Sequence, residues 1–123
     1  MGLFELKDFT MHSGDAGKYK IECDVLTDED WDTIAYIIAE KISFKLVRGV
    51  PSGGIKLQNA LLKYRNPKSE TFLIVDDVLT TGKSMNDFRY VLEDTYPDLF
   101  YEGVVLFARN NCPHWIQSVF QMW

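Results

Sequence analysis

Apolar residues along this chain follow two rhythms that take turns. In "TDEDWDTIAYIIAEKI" they fall at Trp31, Ile34, Ala35, Ile38 and Ile42, the spacing that turns one face of a helix toward a core. Thr27 and Asp30 form a capping-box pair, and the acidic first turn suits the positive end of the helix dipole. "SFKLVRGV" then reads as a strand ending at Gly49, and "VPSGG" as a tight loop. Leu57, Ala60, Leu61 and Tyr64 make a second helical stripe, closed by "RNPKSE". "TFLIV" is uninterrupted, as in a strand buried on both faces. Met85, Phe88, Val91 and Leu92 mark a third helix that stops near Pro97, and "EGVVLFA" is another buried strand. "WIQSVFQMW" predicts either a last short strand or an apolar flap. Near the start, Tyr19 to Val25 reads as a strand after a turn made by Ser13, Gly14 and Gly17.

Helix and strand thus alternate from Asp30 to Ala108. That order predicts an α/β fold: a parallel sheet flanked by helices, right-handed at each crossover. With 123 residues the expectation is one domain, divided as an N-terminal segment 1–26, an α/β core 27–109 and a C-terminal flap 110–123.

Charge and composition narrow the function classes. A formal net charge of -5 argues against a nucleic-acid binder that works by broad phosphate neutralisation, while leaving room for a local cradle around a small phosphorylated ligand. Cys23 and Cys112 fit neither a disulfide framework nor a zinc pattern and read as reduced thiols. No apolar segment approaches the ~20 residues that cross a bilayer, and the start resembles no signal peptide. These features predict a soluble cytoplasmic protein without membrane or nucleic-acid partners.

Candidate chemistry concentrates in "FLIVDDVLTTGKSM", Phe72 to Met85. Two adjacent carboxylates, Asp76 and Asp77, close an apolar strand just before Thr80, Thr81, Gly82, Lys83 and Ser84 open a helix. The first N–H groups of that helix lack internal partners, and the neighbouring hydroxyls add donors, so the turn suits a phosphate. A carboxylate pair beside a phosphate cradle makes sense if the ligand also carries vicinal hydroxyls or Mg²⁺, as a sugar phosphate would. Asp77 stands where a Walker A loop needs its first glycine, and no G-x-G-x-x-G occurs.

That stretch resembles the ribose-phosphate signature of the type I phosphoribosyltransferases: four apolar residues, two acids, two variable positions, then Thr-Thr-Gly-x-Ser. The resemblance implies that Asp76 and Asp77 hold the ribose hydroxyls of phosphoribosyl pyrophosphate and take part in catalysis. It places the 5′-phosphate on residues 80–84, and Mg²⁺ at the two acids through substrate or water. "VRGVPSGGIKL" resembles the family's pyrophosphate loop, in which Val50, Pro51, Ser52, Gly53 and Gly54 receive the leaving group and the bare backbone N–H groups of Ser52, Gly53 and Gly54 meet it. Within the family the orotate branch is the most similar. "FTMHSGDAGKYKIECD" is like its N-terminal hood segment, and "GVVLFARN" like the late strand whose terminal Arg, here Arg109, binds the carboxylate of the base. The implied activity is transfer of ribose 5-phosphate to a nucleobase, orotate first, with Mg²⁺, in a homodimer.

The chain also departs from that branch. Orotate enzymes carry a long excursion, rich in Lys, Arg and His, between the pyrophosphate loop and the acid pair. Here one helix, a turn and a strand separate Gly54 from Asp76; "KYRNPKSE" supplies Lys63, Arg65 and Lys68 but no matching motif. His12 stands where the branch has Lys, and Ala108 where an Asp precedes the Arg. A second reading therefore stays open: a domain that senses phosphoribosyl pyrophosphate or a nucleotide without turnover. Other residues keep plain alternatives. Lys83 and Arg109 read equally as surface cations, His12 and His114 as loop residues, and Trp115 as either a base-stacking ring or core packing.

Overall fold

The computed structural model describes residues 4–10, 16–21 and 23–121, which form two compact units, 1–30 and 31–123. In the first, β1 (Phe4–Thr10) pairs antiparallel with β2 (Ala16–Ile21), from Phe4 opposite Ile21 to Thr10 opposite Ala16. The sequence reading missed β1 and placed its partner at Tyr19 to Val25. The hairpin register sets β2 earlier, and Cys23–Val25 forms a 3₁₀ turn instead. Ser13, Gly14 and His12 lie outside the described residues. Cys23 and Cys112 are both thiols.

Helix α1 (Asp28–Lys41) opens with the expected box: the Thr27 N–H donates to Asp30 Oδ2 at 2.9 Å, and the Asp30 N–H to Thr27 Oγ1 at 3.1 Å. Trp31, Ala35, Ile38 and Ile42 are buried, as their spacing requires. The second unit continues as β3 (Leu46–Gly49), α2 (Ile55–Leu61) with a 3₁₀ turn over Leu62–Tyr64, and β4 (Thr71–Leu79). Then come α3 (Lys83–Thr95), β5 (Phe100–Ala108) and β6 (Ile116–Gln121).

The sheet order is β3-β4-β5-β6, every pair parallel. Side chains alternate between faces along a strand. Val105 belongs to the cluster with Met85, Phe88 and Leu92 of α3, whereas its neighbour Val104 lines a small cavity with Ile37, Ile38 and Ile42 of α1 and its extension. Helices therefore cover both faces. Val91, expected in the α3 stripe, is 64% exposed because the buried line runs through Met85, Phe88 and Leu92.

At the strand ends one alternative is decided and one expectation changes. Of the two readings of the C-terminal segment, a last short strand or a flap, the strand holds over Ile116–Gln121: Gly103 lies opposite Ile116 and Ala108 opposite Gln121. Strand β4 also runs on beyond Val75. Acidic residues are poor strand formers in isolation, but β5 continues to pair, from Asp76 opposite Val105 to Leu79 opposite Ala108. Strand β3 stops opposite Val75, so for its last residues β4 has a partner on one side only.

Candidate functional site

The loop Val50 to Gly54 occupies the space that β3 vacates. The Val50 N–H donates to Val75 O at 2.9 Å, ending the β3–β4 ladder, and the Gly54 N–H turns back to Val50 O at 2.8 Å. The Pro51–Ser52 peptide is cis. A side chain at Gly54 would place its Cβ 2.4 Å from Val75 O, so only glycine lets the loop close on β4. Gln58, which the sequence reading passed over, anchors the start of the loop: its Oε1 accepts from the Gly49 N–H at 2.9 Å.

This closure brings the diglycine loop onto the acid pair. A Cβ at Gly53 would lie 2.5 Å from Asp77 Oδ1 and 2.6 Å from its Cγ, so the Asp77 carboxylate sits directly on the Gly53 backbone. Asp77 Oδ1 also accepts from the Val78 N–H at 2.8 Å. Asp76 is only 8% exposed, the sole charged residue among the buried ones described. Its Oδ1 accepts from the Asp77 N–H at 2.8 Å. Burial, the hydrogen bond between the two carboxyl groups and the like charge of Asp77 push the Asp76 pKa up from 3.8 to about 7, against the pull of the Asp77 N–H.

Past Leu79 the chain turns through Thr80, Thr81 and Gly82 before α3. Gly82 has φ of 85°, a left-handed conformation that glycine adopts without penalty. Helix α3 thus begins at Lys83, later than the expected Thr80, and residues 80–82 form the turn in front of it. Thr80, Thr81 and Ser84 are exposed, and Thr81 Oγ1 accepts from the Lys83 N–H at 3.2 Å. The Lys83 ammonium pairs with Asp87 one turn along the helix, which raises its pKa; the pair lies on an exposed helix surface.

Arg109 follows β5 and is half-buried, its N–H donating to Leu79 O at 3.0 Å. Beside it Asn110 donates Nδ2 to Thr80 O at 2.6 Å, a contact with no signal in the sequence because 30 residues separate the partners. Trp115 packs against the start of α3. Its Nε1 donates to Asn86 Oδ1 at 2.9 Å, the Arg89 guanidinium stacks 4.9 Å over its ring, and the ring packs on Gly103. These contacts make Trp115 part of the packing between β5 and α3. His114 borders the groove beside Trp115, with Phe100 and Glu102.

The site therefore collects Asp76, Asp77, the 50–54 loop and the 80–84 turn at the carboxyl end of the sheet, where open α/β sheets take ligands. Among the described residues no three His, Cys, Asp or Glu side chains gather as a metal cage. Two carboxylates suit a Mg²⁺ held mainly by substrate oxygens and water. Among the same residues no helix is long and apolar enough to cross a membrane.

The sequence matches no family model and no curated protein. Solved structures do match. The orotate phosphoribosyltransferase from Aeropyrum pernix superposes with a TM-score of 0.78 at 20% identity, over 97% of this chain and 88% of that one. That of Mycobacterium tuberculosis, in complex with Fe(III) dicitrate, gives 0.73 at 15% identity over 96% and 89%. The xanthine-guanine-hypoxanthine phosphoribosyltransferase of Helicobacter pylori gives 0.56 at 18% identity over 75% and 88%. The fold of this chain is that of the type I phosphoribosyltransferases.

Proposed function

We propose that this protein is a phosphoribosyltransferase that moves ribose 5-phosphate from phosphoribosyl pyrophosphate to a nucleobase, orotate first among them. The observation that carries the reading is the seat of the Asp77 carboxylate on Gly53, which puts the hydroxyl-binding acids against the diglycine loop. The orotate phosphoribosyltransferases among the matching structures support it at the level of fold.

In this reading Asp76 and Asp77 accept the vicinal ribose hydroxyls, and the 80–84 turn holds the 5′-phosphate through N–H groups, hydroxyls and the helix dipole. The Ser52 and Gly53 N–H groups receive pyrophosphate; that of Gly54 is already used within the loop. Arg109 takes the carboxylate of the base. As pyrophosphate leaves, positive charge develops on the ribose, and the carboxylates of Asp76 and Asp77 stabilise it. Mg²⁺, when bound, neutralises charge on the departing pyrophosphate. The protein acts in the cytoplasm as a homodimer.

A second reading, a sensor that binds the same ligand without turnover, is favoured by one feature. Between Gly54 and β4 there is only α2, a 3₁₀ turn and a short loop, with no long segment to close over the reaction. Loss of one preorganised donor can cost about 10²–10³ in rate, so a site without a cationic lid is slow. Calorimetric titration of phosphoribosyl pyrophosphate with Mg²⁺, followed by a panel of bases and assay of pyrophosphate release, separates the two. Release that disappears in Asp76→Asn/Asp77→Asn establishes the transferase. Binding without release establishes the sensor, and no binding removes both.

A further inference from the structure

The 80–82 turn is held from outside by the connection between β5 and β6. The β4–β5 ladder ends with the Arg109 N–H donating to Leu79 O at 3.0 Å. The next carbonyl, that of Thr80, lies beyond the ladder and is taken by Asn110 Nδ2 at 2.6 Å, so a side-chain amide extends the sheet by one rung. Gln121, on β6, fastens that corner from the other side: its Nε2 lies 3.2 Å from both Ala108 O and Asn110 O and donates to them. At the far end of the turn the Pro113 ring backs onto Gly82, where a Cβ would meet Cγ at 3.1 Å.

From these contacts we infer that Asn110 is a positioning residue for the phosphate-binding turn, locked in place by Gln121, so that the fourth strand of the sheet sets phosphate affinity. This rests on the ligand reading proposed above. A phosphate bound by backbone N–H groups needs several donors converging on one point. A turn that is already ordered binds more tightly than one the ligand must order. Thr80 and Gly82 bracket the turn, and the brace grips both ends: the carbonyl of one by Asn110, the α-carbon of the other by Pro113. The 50–54 loop makes no use of this corner, since its hydrogen bonds run to Val75 and Gln58. The brace should therefore act on the phosphate monoester and leave pyrophosphate alone.

The test compares two probes, ribose 5-phosphate and inorganic pyrophosphate with Mg²⁺, titrated separately into wild type, Asn110→Ala, Asn110→Asp, Asn110→Gln and Gln121→Ala. Asn110→Asp keeps the shape but opposes a carboxylate to the Thr80 carbonyl. Ribose 5-phosphate is expected to weaken about tenfold in Asn110→Ala and Asn110→Asp, less in Gln121→Ala, and to recover in part in Asn110→Gln, which keeps the donor. Pyrophosphate affinity in Asn110→Ala should stay within about twofold of wild type. Unchanged ribose 5-phosphate affinity in folded Asn110→Ala overturns the brace, as does an equal loss for both probes, which would mark a general structural effect. A wild-type protein that binds neither probe removes the site reading itself, and the brace with it.

Discussion

The Asp77 carboxylate rests on the α-carbon of Gly53, so close that a methyl group at residue 53 would lie 2.5–2.7 Å from its Cγ and both oxygens. Two motifs read separately in the sequence thus form one surface. In Gly53→Ala either the loop lifts from β4 or the carboxylate turns away from the Val78 N–H. The variant should lose about 1–3 kcal/mol of stability by overpacking. It should also bind phosphoribosyl pyrophosphate at least about tenfold more weakly, a loss of some 1.4 kcal/mol. Urea denaturation and calorimetric titration read the two effects.

Asp76 makes stability depend on pH in an unusual direction. Its folded pKa, about 7, lies above the ordinary 3.8, so the folded protein holds a proton that the unfolded chain has lost between those values. Stability from this group is fully present below about 3.8, falls as pH rises toward 7, and is level above that. Each factor of ten in proton affinity is worth about 1.4 kcal/mol, so the cost above pH 7 is on the order of a few kcal/mol. Asp76→Asn should melt higher than wild type at pH 8, show no such gain near pH 4, and have a flatter profile between.

The same carboxyl should release a proton on ligand binding. A Mg²⁺-laden sugar phosphate favours its charged form, so titration near pH 6.5 should liberate protons in proportion to occupancy. Measured heats in buffers of different ionisation enthalpy should differ accordingly, and Asp76→Asn should abolish the difference.

Gly82 holds a left-handed backbone conformation that a residue with a Cβ adopts only under strain. With φ of 85° and Pro113 packed behind it, Gly82→Ala should cost about 1–2 kcal/mol. It should also weaken ribose 5-phosphate binding; denaturation and titration of the variant check both.

The Lys83 ammonium should matter little to the ligand, because it is engaged with Asp87 on the exposed helix surface. Lys83→Met is expected to change phosphoribosyl pyrophosphate affinity by no more than about threefold, with an unchanged melting temperature.

Much of this molecule was legible in the chain itself. The helical spacing of Trp31, Ala35 and Ile38, the capping pair Thr27 and Asp30, and the unbroken run of Phe72 to Val75 are local signals, because short-range sterics and burial act at fixed spacings. The order of elements then leaves few topologies, and a parallel sheet is the simplest. What lay beyond reach depends on partners distant in sequence. The β4 strand passes through Asp76 to Leu79 because β5 pairs with it there; Trp115 packs on α3 because Asn86 and Arg89 meet it. Asn110 reaches Thr80 only once β5 lies beside β4. Sequence by itself determined which residue types and periods were present, hence the elements and the acid, glycine and threonine motifs. Only tertiary structure decided that Gly53 and Asp77 touch, that Asp76 is buried enough to hold its proton, and that Asn110 and Gln121 grip the turn, since hydrogen bonds and desolvation depend on distances no local pattern encodes.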